Sequence, residues 1–178
     1  MTASNFPACL DFTLAQEGGF VDMRDDRGGA TNMGITLATL AAYRGHEVTV
    51  GELEAMTQAE AEAIYVADFW RPVNGDALPP GLDLMVFDMG VNAGPRRSAE
   101  QLQAVIGVAQ DGIVGPRTLA AVQMVSPRLL IARLGYAQQV YYNGIVQASP
   151  SQSVFLAGWL ARCSDRTAAA KTMALSDG

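Results

Sequence analysis

Apolar residues recur at spacings of three and four along almost the whole chain, and the strict alternation of a half-buried strand is nearly absent. That periodicity restricts the chain to a mainly α fold. Phe6, Leu10, Phe12, Thr13 and Leu14 approximate one face of a short helix, which Gly18-Gly19 stops. Residues 18 to 34 read as an irregular loop rich in Gly and Asp, with room for a small β-ribbon. Thr36 to Tyr43 reads as a helix. Thr57-Gln58-Ala59-Glu60 forms a capping box ahead of Ala61, Ile64, Tyr65 and Phe69 at helical spacing, and Arg71-Pro72 ends that helix. Leu82 to Asn92 is largely apolar with Asp88 inside it and stops at Gly94-Pro95, the pattern of a buried helix. Arg96 to Ile106 is amphipathic, with Ala99, Leu102, Val105 and Ile106 inward. Pro116 and Pro127 each suit the first position of a helix, the second continuing through Leu130, Leu134, Ala137 and Tyr141. Ser153 suits a cap for a helix through Phe155, Leu156, Trp159 and Leu160, and the small, polar closing stretch is expected to fray.

Composition removes several classes of function. With 178 residues, 49% of them hydrophobic and 17% charged, the chain has enough apolar material for a core and is not disordered. That length is about one domain. The richest apolar run, Leu129-Leu130-Ile131-Ala132, is cut by Arg133, far short of a membrane span. A formal charge of −6 is a poor match for nucleic acid. Cys9 and Cys163 show no CxxC spacing and read as unpaired thiols. The start, Met1 to Pro7, carries no basic residue and no apolar stretch of a secretory signal, so synthesis in the cytoplasm without a signal peptide is expected.

Residues 16 to 36 concentrate five glycines and four acids, a composition that shapes a site rather than a core. Glu17 falls at the end of an apolar helix. The carbonyls there carry partial negative charge, and apolar neighbours add desolvation, so both effects favour the protonated acid. A protonated carboxyl can donate to a leaving-group oxygen; the bland alternative is an exposed glutamate beside a Gly-Gly C-cap. Asp26, in a wetter loop, would stay ionised and hold a water or stabilise an oxocarbenium-like transition state. Asp22 and Asp25 are rivals for that role, and each suits an Asx turn equally. Thr31, Asn32 and Thr36 could position water or sugar hydroxyls, or simply satisfy loop and cap backbone groups.

The run Glu17-Gly18-Gly19-Phe20, with Asp26-Arg27-Gly28-Gly29-Ala30-Thr31-Asn32-Met33-Gly34-Ile35-Thr36, resembles the opening of glycoside hydrolase family 108, the bacteriophage and prophage N-acetylmuramidases, which are lysozyme-like endolysins. Phe20 stands where the family pattern has Tyr, and Arg27 where it has Pro. Further motifs come in order: Ala63-Ile64-Tyr65 with Phe69-Trp70; Phe87-Asp88-Met89-Gly90-Val91-Asn92-Ala93-Gly94; Leu102-Gln103 through Asp111-Gly112-Ile113-Val114-Gly115-Pro116-Arg117-Thr118, which resembles a peptidoglycan-binding region; and Phe155 to Arg162. The resemblance implies a lysozyme-like helical fold and hydrolysis of the β-1,4 bond between N-acetylmuramic acid and N-acetylglucosamine. It places the family's essential glutamate at Glu17. The spacing from Glu17 to Asp26 to Asn32 also resembles the acid–aspartate–threonine pattern of other phage lysozymes, with the third role falling to Thr36 or Asn32.

The remaining candidates divide between packing and binding. Asp88 on a buried helix needs a partner, most simply an arginine; the functional reading puts Asp88 or Asn92 on the floor of a cleft formed with the N-terminal segment. Tyr65, Trp70, Tyr141, Tyr142 and Trp159 offer faces to sugar rings or to the core. His46 has no second His or Cys nearby, which argues against a zinc amidase, and no GxSxG is present.

The expectation is therefore a catalytic part over 1–95 and a helical peptidoglycan-binding-like part over 96–178, packed into one globule. Glu17 is general acid, Asp26 the second carboxylate and Thr36 an auxiliary catalytic group; Thr31, Asn32, Tyr65, Trp70, Asp88 and Asn92 contact substrate. The expected partner is the peptidoglycan glycan strand, met by a monomer released through a holin pore and acting at the cell wall, with no cofactor, metal, nucleic acid or membrane insertion. Two alternatives differ in class: a lytic transglycosylase, which needs no second carboxylate, and a non-catalytic wall-binding or virion structural protein.

Overall fold

The computed structural model describes residues 4–17 and 30–176, with the side chains of Glu17 and Ser176 outside the description. The fold is mainly α. Its helices are α1 (Phe6–Glu17), α2 (Leu37–Arg44), α3 (Val50–Glu54), α4 (Gln58–Tyr65), α5 (Leu82–Ala93), α6 (Pro95–Ile106), α7 (Pro116–Gln123), α8 (Pro127–Ala148) and α9 (Ser153–Ser176). One two-stranded antiparallel ribbon, β1 (Thr31–Asn32) and β2 (Ile35–Thr36), precedes α2. Two compact units divide the chain: a smaller one over Leu10–Asp68, and a larger one made of Met1–Cys9 with Phe69–Gly178. No helix among the described residues is long and apolar enough to cross a membrane.

In the larger unit the middle is α5. Every residue from Leu82 to Gly90 is buried, so this helix is covered all round. Its neighbours α6, α8 and α9 supply that cover. Ser98 on α6 donates to the Val86 carbonyl at 2.6 Å, and Gln138 on α8 donates to the Met85 carbonyl at 3.2 Å. The N-terminal end of α5 meets α9 closely: Gly81 has φ +81°, and a Cβ there would lie 2.1 Å from the Ala170 carbonyl oxygen. Only glycine meets both conditions. Phe6, Trp70 and Phe87 form an edge-to-face trio with centroids 5.3–5.9 Å apart.

Among the described residues, Asp88 is the one carboxylate completely enclosed by this packing. Arg162 donates to it at 2.6 and 3.1 Å, and Arg166 at 2.6 Å, both from α9. Arg166 also donates to Gln138 Oε1 at 2.7 Å. Since Gln138 returns to the carbonyl of Met85, the hydrogen bonds close a ring through α5, α9 and α8. Burial alone would raise the Asp88 carboxyl, but the bonds and charges of the two arginines outweigh it and hold the group below its ordinary value. Asp83 goes the other way. Burial raises it, against opposing bonds from Asn5 and the Leu84 amide. The Cys9 thiol, buried and facing Asp83, is pushed up as well.

The smaller unit is organised around the ribbon. Met33 (φ 49°) and Gly34 (φ 73°) are both left-handed, as a type I′ hairpin turn requires. Tyr65 donates to the Met33 carbonyl at 2.9 Å and braces that turn. Arg44 grips Glu60 with two bonds of 2.8 and 2.9 Å. Glu60 is thereby drawn away from Thr57, so the anticipated capping box there has only its threonine half, Thr57 accepting from the Glu60 amide. The complete box lies at Thr49 and Glu52. The short helix it starts, α3, had no counterpart in the sequence reading. A second correction concerns the closing stretch. The last dozen residues, expected to fray, instead continue α9 as far as Ser176, anchored by buried Arg166 and Ala170.

Replacing Asp88 by Asn leaves two guanidinium groups without their carboxylate. It is expected to cost about 3–5 kcal/mol of stability in urea unfolding. The sign with pH is fixed by the lowered carboxyl: its stabilisation is present above the unfolded value and is lost as pH falls through the folded one. Acid unfolding should therefore set in less steeply for Asp88→Asn than for the wild type; a loss below about 1 kcal/mol would show the ring to be dispensable.

Candidate active site

Glu17 is the last residue of α1, the position from which the carbonyl ends of a helix act on a carboxyl group. Its side chain, and the whole of Asp22, Asp25 and Asp26, lie outside the described residues. The described part of the site begins with the ribbon, which is next in the chain.

Thr31 and Thr36 are direct cross-strand partners on the ribbon, and Asn32 faces Ile35. Both threonines are half-buried and share one face of the hairpin. Thr36 is also the N-cap of α2. Its hydroxyl oxygen accepts from the Thr39 amide at 3.1 Å and lies 3.0 Å from the Thr39 hydroxyl, where either group can donate. One lone pair of Thr36 is thus committed to the helix, while its proton remains available to a neighbour. Asn32 is buried, and its amide nitrogen donates to the carbonyls of Leu53 and Glu54 at 2.9 and 3.2 Å. Those bonds fasten the ribbon to the end of α3 and use both donors of the amide. Tyr65 is fully buried under the turn. The structure thus brings Thr31, Asn32, Thr36 and Tyr65 together around one hairpin.

Trp70, Asp88 and Asn92 belong to the larger unit. Trp70 ends a π-helical turn, Val66–Trp70, and is buried in the aromatic trio. Gly75 lies against its ring, at a distance where a Cβ would sit 2.4 Å from the indole. Asp88 is enclosed by its arginines, as the packing reading of that residue requires. Asn92 donates back to the Asp88 carbonyl at 2.8 Å.

Sequence reasoning did not find the centre of the Leu102–Thr118 motif. Gln103 is buried and donates to Asp111 (2.7 Å), the Ile113 carbonyl (3.0 Å) and Thr118 (3.1 Å), while accepting from the Gly112 amide at 2.9 Å. Gly112 is left-handed (φ +76°), and a Cβ there would lie 2.6 Å from Arg96 Cγ. Gln103 and Thr118 are thus turned inward and hold the loop between α6 and α7, while Asp111 and Arg117 stay exposed. The bonds from Gln103 and the Ile113 amide keep the Asp111 carboxyl below its ordinary value.

The comparisons with known proteins agree with this architecture. The family model described as Glycosyl hydrolase 108 matches residues 10–94, which take in α1 from Leu10 onward, the ribbon and α5. A second, described as Predicted Peptidoglycan domain, matches residues 97–164. The solved structure titled "Structure of Brucella abortus SagA" is 38% identical, with a TM-score of 0.85 over 96% of this chain and 95% of that one. The chain belongs to glycosyl hydrolase family 108. It is a glycoside hydrolase with a peptidoglycan-related role, on a lysozyme-like helical fold. No curated protein matches it. The family's two matched segments meet between 94 and 97, whereas the compact units separate at Cys9 and again at Phe69. The helix at the end of the hydrolase segment, α5, is therefore packed among the helices of the peptidoglycan segment.

Because Thr36 caps α2, Thr36→Ala is expected to cost about 0.5–2 kcal/mol, with Thr36→Ser retaining most of the wild-type value. Denaturant unfolding of both variants checks this. Equal stability of Thr36→Ala and wild type would remove the capping role.

Proposed function

We propose that this chain is an N-acetylmuramidase. It hydrolyses the β-1,4 bond between N-acetylmuramic acid and N-acetylglucosamine in peptidoglycan, as a wall-lysing enzyme of the bacteriophage endolysin kind. The observation that carries the reading is the position of Glu17 at the carbonyl end of α1, within the segment matched by the hydrolase family. In this reading the carbonyl end of the helix favours the protonated carboxyl, which donates its proton to the glycosidic oxygen. Asp26 stays ionised on the loop and either attacks the anomeric carbon or activates a water. Thr36, on the hairpin next in the chain, donates its hydroxyl proton toward the water or a sugar hydroxyl. Asn32 and Tyr65 act indirectly, by holding that hairpin. The protein works as a monomer on glycan strands at the cell wall, reaching them from the cytoplasm by holin-dependent release.

Glu17→Gln removes the acidic proton while preserving shape. It is expected to lower the release of reducing ends from purified sacculi by at least about 100-fold, the scale of general-acid catalysis. Asp26→Asn is expected to cost less. Mass spectrometry of the products separates the alternatives: 1,6-anhydro-muramyl ends would make this a lytic transglycosylase, and no cleavage by the wild type would make it a binding or structural protein. Wild-type turnover by Glu17→Gln would end the mechanism.

A further inference from the structure

The charge of −6 conceals a division along the chain. Residues 1–95 hold 4 Lys+Arg against 14 Asp+Glu, whereas residues 96–178 hold 8 against 4. The C-terminal segment is thus cationic, and Arg96, Arg97, Arg117, Arg128, Arg133 and Lys171 are exposed on it. An aromatic series in the same segment runs from the core to the surface. Buried Tyr142 stacks on Trp159 (centroids 5.3 Å, interplanar angle 25°), and Trp159 stacks on Phe155 (5.8 Å, 28°). Tyr141 meets Tyr142 edge-on at 5.5 Å and carries the guanidinium of Arg97 over its ring at 5.9 Å. Phe155 is 54% exposed, just after the turn Pro150–Gln152 at the start of α9. One face of its ring stacks on Trp159, and more than half of the side chain remains exposed.

We propose that Phe155, backed by Trp159, is a stacking platform for an N-acetylhexosamine ring of the peptidoglycan glycan strand. None of these residues is among those assigned to bond cleavage, and the proposal rests on peptidoglycan being the substrate. A pyranose presents a face of C–H bonds that packs flat against an aromatic ring, and a pre-ordered ring loses no rotamer freedom on binding. Every member of the series, from Arg97 to Trp159, lies within the segment matched by the peptidoglycan domain. The cationic charge of that segment complements the carboxylates of peptide-bearing glycan.

The test is co-sedimentation of the full-length protein with purified sacculi, alongside thermal unfolding of each variant. Phe155→Ala is expected to raise Kd about three- to tenfold. Phe155→Tyr, which keeps the flat ring, should bind within about twofold of wild type. Phe155→Leu, apolar but not flat, should bind like the alanine variant. Wild-type binding by Phe155→Ala or Phe155→Leu overturns the platform, as does a change confined to oligomeric state in light scattering. The same sacculi report on cleavage separately. New reducing ends with binding indifferent to Phe155 would overturn the platform alone. Phe155-dependent binding without new reducing ends would support it and overturn only the hydrolytic reading.

Discussion

A carboxylate sealed inside a protein is costly unless its charge and its hydrogen-bonding capacity are both met, and Asp88 meets this condition with two arginines from a single helix. Because Arg166 continues to Gln138, and Gln138 to the backbone beside Asp88, the interaction is a circuit rather than a pair. A shift of α8 or α9 by one residue along its axis would open it. The apolar contacts around α5 supply most of the burial energy but tolerate many registers. The polar circuit selects one of them, a use of buried charge in which specificity matters more than net stabilisation.

That selection extends to the hydrolase segment. Helix α5 closes the stretch that the hydrolase family matches, and it is fixed by helices belonging to the peptidoglycan segment. The second segment is thus structural support for the first as well as a surface of its own. In the smaller unit, support takes a different form. Asn32, Tyr65 and the left-handed pair Met33–Gly34 make the hairpin rigid, and the hairpin in turn positions Thr31 and Thr36. A catalytic loop gains precision from such neighbours, which lock rotamers without touching the substrate.

Much of this architecture is legible in the sequence. Helical periodicity, Pro at the first turns and Gly at the last ones locate most elements within a few residues, and α1 reaches Glu17 as its last residue. Asp88 announces a buried partner by standing in the middle of a largely apolar helix. Its partner's identity is out of reach, because nothing local links residue 88 to residue 166, although the spacing of Arg162 and Arg166 does place them on one helical face. Thr57 and Glu60 satisfy the capping pattern, but Arg44 competes successfully for the glutamate. The charge division is present in the sequence and is hidden by summing it. The inward turn of the Gln103 motif requires tertiary information, since the same residues would suit a binding loop.

The course of α9 has a practical bearing on where this protein can be cut. The recognisable peptidoglycan motif ends at residue 164, and the stretch beyond it resembles a dispensable tail of alanines and threonines. Yet Arg166 lies just past that border, and Ala170 seals the start of α5. A fragment trimmed to the motif would preserve its signature residues and discard one side of the ring around Asp88. The evolutionary edge of the domain and its mechanical edge are thus different places on the chain.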